Sequence, residues 1–150
     1  CGECGGQNAS MDCAGVCNGT AVLNCSGQCV DAIESISDGC ELSDNTLYIL
    51  DDGTVLYNST YNIGGFQFNI DGTFANAGSG GIAEEQGFQV SGGPAGVVLG
   101  FSFSGSYVPA GCGILTILDI DDSNTLEGLI DIVMSTPEAT NFTMTYCSDD

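Results

Sequence analysis

The stretch NIGGFQFNI, residues 62–70, has the alternation of a half-buried β-strand. Phe66, Phe68 and Ile70 would lie on one face of that strand, with two amide side chains on the other face. Similar short runs, bounded by Gly, Asp and Asn, recur along the chain from residue 44 onward. The other runs are TLYIL (46–50), TVLYNST (54–60), GFQV (87–90), VVLGFSFSG (97–105), GILTILDI (113–120), GLIDIVMS (128–135) and NFTMTYC (141–147).

These runs predict an all-β fold for residues 41–150. The DDG turn at 51–53 is a hairpin signal between the first two runs. Only AEEQ (83–86) suggests a helical turn. About eight or nine short strands with this alternation predict an antiparallel β-sandwich.

Residues 1–40 differ in composition and carry seven of the nine cysteines. CAGVCNGTAVLN (13–24) and CSGQCVDAIESI (25–36) are two copies of one 12-residue unit. CGECGGQNASMD (1–12) fits the same register, with its second cysteine one place early. Because the segment is rich in Gly and Asn and lacks strand or helix periodicity, its fold must come from crosslinks. We predict an irregular, disulfide-rich repeat arm, which we call the N-terminal arm.

An odd number of cysteines leaves at least one without an intrachain partner. Cys40, Cys112 and Cys147 lie outside the repeats, and only two of these three can pair with each other. The remaining cysteine is either a free buried thiol or forms a bond to a neighbouring unit. A zinc site at the first repeats is the weaker alternative for a chain outside the cytosol. The cysteines predicted to form disulfides are Cys1, Cys4, Cys13, Cys17, Cys25, Cys29, Cys40, Cys112 and Cys147, in a connectivity that the sequence leaves open.

N-x-S/T triplets are more frequent than the roughly two expected by chance for this composition. This excess and the disulfide framework together indicate an extracellular, secreted or cell-surface protein with N-linked glycans. The predicted glycosylation sites are Asn8, Asn18, Asn24, Asn58 and Asn141.

The chain has no Lys, Arg or His against 20 acidic residues, for a formal net charge of -20. Nucleic acid is therefore excluded as a partner, and so are anionic membrane surfaces, since binding to either requires basic groups. The longest apolar run, Gly96 to Phe103, is too short to span a bilayer, so no membrane insertion is expected. The acidic surface either serves solubility alone or binds divalent cations.

Hard oxygen ligands are concentrated in DIDDSNTLE, residues 119–127. Asp119, Asp121, Asp122 and Asn124 are candidate Ca²⁺ ligands. The stretch departs from an EF-hand loop, because Asn124 stands where that loop needs glycine. The alternative is a polar loop between two strands.

Three stretches together resemble the cohesin-like domains of large secreted microbial proteins. They are IGGFQFNIDG (63–72), GFQVSGG (87–93) and VLGFSFSGSYVPAGCGILTIL (98–118). The resemblance implies a jelly-roll-like sandwich of about nine strands over residues 46–147. It does not carry over dockerin binding, because the contact surface of cohesins is not identifiable in the sequence. The N-terminal units resemble the CGxCGG and DCAGVCNG cysteine repeats that often precede such domains.

No enzymatic activity is predicted. Nucleophile systems that rely on His or Lys are impossible here, and no carboxylate pair of the glycosidase type has a recognisable setting. We expect a structural module of an extracellular filament, coat or adhesive array, with the N-terminal arm contacting a neighbouring unit head to tail. The units would be separate subunits or tandem segments of one chain. The alternative is a carbohydrate-binding or cohesin-type protein-binding module.

Overall fold

The computed structural model describes residues 13–16, 21–23, 29–30 and 36–147. Within them lie twelve strands, one short helix, α1 (Gly81–Glu85), and a 3-10 turn at Gly39–Glu41. The strands are β1 (Val22–Leu23), β2 (Cys29–Val30), β3 (Thr46–Ile49), β4 (Thr54–Ser59), β5 (Gly65–Asp71), β6 (Ala75–Ser79), β7 (Gln89–Ser91), β8 (Val97–Phe101), β9 (Gly111–Ile120), β10 (Gly128–Ser135), β11 (Asn141–Phe142) and β12 (Thr145–Tyr146).

Ten of these strands form one continuous sheet. Its order is β11-β10-β5-β8-β7-β6-β9-β4-β3-β12, while β1 and β2 pair with each other in the N-terminal arm. Because β10 also contacts β3 and β12, the sheet curls back on itself and encloses the core. The predicted all-β fold is confirmed. The described pairs are antiparallel except for β3 with β12, whose parallel pairing the sequence did not predict.

The core includes the alternate side chains of residues 62–70 that the sequence pattern assigned to one face. The Phe66 and Phe68 rings lie 5.9 Å apart, and Phe66 lies 6.1 Å from the Phe88 ring. A Cβ atom on Gly100 would come within 2.1 Å of the Phe66 ring. Gly100 therefore provides the space that this ring occupies. Other fully buried members of the core include Leu47, Val55, Ile63, Val98 and Leu115.

A second, smaller cluster covers the outer side of β4. Leu56 is fully buried although its neighbours Val55 and Tyr57 point into the main core. Ile36 and Leu42 pack on it from the segment around the 3-10 turn. Burial on both sides explains why β4 reads as a nearly continuous apolar run.

A disulfide and a glycine hold this covering segment against the sheet. Cys40, in the 3-10 turn, is bonded to Cys112 of β9. A Cβ on the preceding residue, Gly39, would lie 2.3 Å from the carbonyl oxygen of Gly113. Only glycine permits this approach of two backbones. The predicted domain boundary after residue 40 falls inside this turn.

The segment 141–146 lies at both ends of the sheet. β11 pairs with β10 through Met134 and Phe142, and β12 pairs with β3 through Thr145 and Thr46. The Tyr146 ring then packs on Gly128, where a Cβ would lie 2.9 Å from the ring. These two short strands thus cover part of the edges of β10 and β3.

Three local predictions differ from the structure. The run 141–147, predicted as one strand, is two strands because the chain crosses from one end of the sheet to the other. The helical turn predicted at 83–86 begins earlier, at Gly81. Strand β6 was not predicted, since its sequence ANAGS has weak β-propensity. A small residue is needed there, because a Cβ on Gly78 would lie 2.5 Å from the Val90 side chain.

Candidate contact surface

The outward side of β8, β5 and β10 carries exposed aliphatic side chains. Cross-strand register aligns them in two rows in which an amide side chain separates two aliphatic ones. The aliphatic members are 38–48% exposed. The rows, which together we call the outer apolar face, are Leu99–Gln67–Val133 and Val97–Asn69–Ile130.

The outer apolar face arises because β8 has apolar residues on both of its sides. Val98 is fully buried, while its neighbours Val97 and Leu99 are partly exposed. In β10 a bulge after Ile130 precedes Val133, so both side chains pair with β5 on the same side of the sheet. Neighbouring exposed apolar side chains are typical of interaction surfaces, so this face is a candidate contact surface.

Aromatic side chains extend this face beyond the end of β8. Phe101 is half-buried, and Phe103 is 80% exposed. Their rings meet edge to face with centroids 4.8 Å apart. The Ser102 hydroxyl accepts hydrogen bonds from the backbone N–H groups of Ser104 and Ser106, which fixes the turn carrying Phe103.

Carboxylates lie mostly away from the outer apolar face. Of the acidic residues that the structure describes, only Asp71, Asp119 and Asp131 lie in strands. Asp71 ends β5, and Asp131 lies in the β10 bulge, where its carboxylate accepts a hydrogen bond of 3.0 Å from the Asn69 amide. The two rows themselves contain no carboxylate, and Asp131 lies beside them through its bond to Asn69.

Elsewhere, N–H and O–H donors take the place of the missing basic side chains. The backbone N–H of Thr54 donates to the Asp52 carboxylate at 2.9 Å, and this bond lowers the pKa of Asp52. The Ser123 hydroxyl and backbone N–H both donate to Asp121 and lower its pKa. These bonds favour the ionised carboxylate without neutralising it, so the surface stays strongly negative.

The predicted Ca²⁺ ligands lie at and after the end of β9. Asp119 accepts a hydrogen bond of 3.2 Å from the Asn76 amide, and the Asn124 amide lies 3.4 Å from the Ser123 hydroxyl. Asp121 and Asp122 follow β9 in a turn. Within residues 36–147 and the shorter described stretches, no three acidic or cysteine side chains form a metal-binding group. Calcium binding by this loop stays a prediction.

Two predicted glycosylation sites lie in the described residues and differ in environment. Asn141 is exposed at the start of β11. Asn58 is half-buried in β4, and its amide nitrogen donates a hydrogen bond of 2.8 Å to the Leu42 carbonyl oxygen. The amide nitrogen is the atom that would carry a glycan, so only Asn141 presents it freely. Asn8, Asn18 and Asn24 lie outside the described residues.

The disulfides involve all three cysteines outside the repeats. Cys40 and Cys112 are bonded to each other, and Cys147 is disulfide-bonded as well. No free thiol therefore remains among these three. Within the chain, the only cysteines left for Cys147 are those of the repeats. One repeat cysteine, Cys13, is also disulfide-bonded. The other predicted disulfide positions, Cys1, Cys4, Cys17 and Cys25 and the side chain of Cys29, lie outside the described residues.

Comparison with known proteins finds no matching family model, curated protein or solved structure. The resemblance to cohesin-like domains therefore stays a prediction. Among the described residues, no helix has the length and apolar character needed to span a membrane. The Cys40–Cys112 bond is of a kind that persists in oxidising compartments and is compatible with secretion.

The sequence analysis did not identify the outer apolar face. The signal was present in VVLGF (97–101), which is apolar at every non-glycine position instead of alternating. A strand at a solvated surface should alternate, so an unbroken apolar run in this fold means that both faces are covered. A strand that its own chain buries on both sides has the same pattern, so the sequence alone does not show that Val97 and Leu99 are exposed.

Proposed function

We propose that this protein is a non-enzymatic structural module of an extracellular, N-glycosylated assembly, and that the outer apolar face contacts another copy of the chain. The observation that carries this proposal is the exposure of Val97, Leu99, Ile130 and Val133 side by side on one sheet surface. Contiguous exposed apolar patches on soluble proteins mark interaction sites.

The charge distribution favours a second copy as the occupant. Two chains of charge -20 repel each other wherever their carboxylates meet. The two rows of the outer apolar face contain no carboxylate, and Asp131 is the acidic side chain bonded beside them, so contact here would bring few carboxylates together. Its Gln67 and Asn69 amides also provide donors and acceptors for a self-complementary contact.

The N-terminal arm supplies a second contact in this proposal. Contact through one face alone closes a symmetric pair, whereas an additional head-to-tail contact through the arm extends the assembly into a filament or array. The crosslinked repeats would give the arm stiffness without a core of its own. Divalent cations or high ionic strength would promote assembly, because screening reduces the repulsion between units.

A cohesin-type role is the alternative, and the same face would serve it. In that case the outer apolar face would bind a different protein, and the chain alone would stay monomeric. Sugar binding at this face is supported less well, because stacking on sugars needs a flat aromatic platform and the Phe101 and Phe103 rings meet edge to face.

Sedimentation velocity as a function of NaCl concentration, combined with electron microscopy, tests the proposal. We expect association that increases with salt and weakens at least about tenfold in Leu99→Asp, which corresponds to about 1.4 kcal/mol. Ile117→Asp is the matched control, because Ile117 lies on another part of the sheet and is 40% exposed, against 41% for Leu99.

Each outcome decides between the candidates. Equal weakening by both variants would show that added charge, and not this face, controls association. A wild-type chain that stays monomeric at high salt and with Ca²⁺ would refute self-assembly and favour the binding-module alternative. Association at low salt that chelation leaves unchanged would contradict the role assigned to screening and divalent ions.

A further inference from the structure

A groove of about 220 Å³ lies at one end of the outer apolar face, across β11, β10, β5 and β8. Cross-strand register places Asn141, Ser135, Gly65 and Phe101 in one row along it. Gly65 contributes no side chain to this row, and a Cβ there would lie 3.3 Å from the Ser135 hydroxyl oxygen. The missing side chain leaves the groove open between Ser135 and Phe101. We call it the Asn141 groove.

The lining of the Asn141 groove is neutral and mixes apolar with polar groups. Leu99, Phe101 and Val133 provide apolar surface. The Gln67 amide and the Ser135 hydroxyl provide hydrogen-bond donors and acceptors. No charged side chain of the described residues lines the groove, although the chain has a net charge of -20. A neutral ligand with both hydroxyl groups and C–H surface matches this lining, and sugars have this composition.

Asn141 would place such a ligand directly at the groove. It begins an N-x-T triplet, and its exposed side chain forms part of the groove wall. Its amide nitrogen is the atom that carries an N-linked glycan. From Asn141 to Phe101 the row crosses three strand spacings, or about 14 Å. The sugars nearest the attachment point therefore have Gly65 and then Phe101 within reach.

Attachment to the chain removes the need for high intrinsic affinity. A free sugar would find no flat aromatic platform here, because the Phe101 and Phe103 rings meet edge to face. A short tether, however, gives an effective concentration in the millimolar range. Even an intrinsic Kd of about 1 mM would therefore leave the sugars docked for about half of the time or more. The glycan of the chain itself is thus a better occupant than a free sugar.

We propose that the Asn141 groove holds the first sugars of an N-glycan on Asn141, and that this docked glycan weakens the contact between copies. The docked sugars would cover Leu99 and Val133, which belong to one of the two rows of the outer apolar face. A second copy must displace the sugars or use the row of Val97 and Ile130 alone. The effect on association rests on the function proposed above, because it assumes that copies meet at this face.

The folded, glycosylated chain at low salt tests docking itself, since this measurement does not require association. We expect nuclear Overhauser effects between N-acetyl methyl protons of the glycan and the methyl groups of Leu99 and Val133. Gly65→Thr places a side chain in the groove. Endoglycosidase cleavage of the Asn141 glycan should be at least about threefold faster in this variant, because only undocked sugars are cleaved.

A glycan moved to an exposed turn is the matched control. Ser123→Asn creates an N-x-T triplet at 123–125, and Thr143→Ala removes the one that begins at Asn141. The moved glycan should show none of these Overhauser effects, and Gly65→Thr should leave its cleavage rate unchanged. Sedimentation velocity at high salt then compares the wild type with Thr143→Ala alone. We expect association to be at least about threefold tighter without the Asn141 glycan.

The outcomes separate docking of the glycan from self-association. An unoccupied Asn141, absent Overhauser effects, or a cleavage rate that Gly65→Thr does not change would each overturn docking, whatever the association state. Docking together with equal association of the wild type and Thr143→Ala would overturn the effect on association. A Thr143→Ala chain that stays monomeric at high salt would refute self-assembly through this face, and with it that effect, while docking would stand.

Discussion

Removal of the Cys40–Cys112 disulfide should destabilise the protein strongly. The bond joins residues separated by 72 positions, so it closes a long loop in the unfolded chain. In the chain-entropy model, a loop of that length corresponds to about 4 kcal/mol of stability. For a domain of this size, a loss of about 4 kcal/mol lowers Tm by roughly 10–15 °C.

The double variant Cys40→Ala/Cys112→Ala is the clearest perturbation. Both cysteines are exposed, so their truncation removes little packing, and replacing both leaves no new free thiol. Urea unfolding followed by circular dichroism gives the change in free energy, and amide hydrogen exchange shows where protection is lost. We expect exchange to increase first at Leu42, whose N–H bonds to the Gly39 carbonyl, as the segment covering Leu56 detaches.

The double serine variant at the same two positions is the matched control for side-chain chemistry. It should lose the same stability as the alanine variant, because the crosslink and not the sulfur atoms is responsible. A loss below about 1 kcal/mol in both variants would refute the reasoning. It would mean that packing of the 3-10 turn on β4 and β9 restricts the chain without the bond.

Three further predictions concern packing, charge and modification. Gly100→Ala should cost about 1–3 kcal/mol in urea unfolding by displacing the phenyl ring across the core, whereas Gly93→Ala, with open space around it, should be near neutral. Folding lowers the pKa of Asp52, so the ionised carboxylate stabilises the folded state at pH values above the ordinary carboxyl pKa. This stabilisation is lost as the pH falls through the pKa of the folded state. Asp52→Ala should therefore cost up to about 1 kcal/mol at pH 7 and less at pH 2, and a cost that does not fall as the pH is lowered would contradict this. Peptide mapping by mass spectrometry of material from a glycosylating host should find a glycan at Asn141 and none at Asn58, and the reverse pattern would show that the folded environment does not decide occupancy.

The sequence predicted the strands in which apolar and polar side chains alternate, because this alternation results from burial of one side of the strand. Phe66, Phe68 and Ile70 lie in the core as the pattern in 62–70 indicates. It did not predict β6, since Gly78 was selected for lack of volume and not for β-propensity. It also left the disulfide pairing open, because the approach of Cys40 to Cys112 depends on the curl of the sheet.

The candidate sites were less accessible to sequence reasoning for a related physical reason. The outer apolar face brings together Leu99, Gln67 and Val133, which share no spacing pattern and meet only through the pairing of three strands. Acidic clusters that are local in sequence, such as 119–127, are visible without a structure. Those made from separate elements are not.

The placement of segment 141–146 has a consequence for the order in which the protein folds. During synthesis β3 leaves the ribosome early, but its partner β12 emerges only after every other strand of the sheet. Until then β3 and β10 both present unpaired backbone groups, which invite pairing with other nascent chains. The long separation between Thr46 and Thr145 also makes their pairing slow. The yield of folded protein thus depends on whether β12 pairs with β3 before nascent chains aggregate. Glycans or chaperones that delay contact between nascent chains would raise this yield.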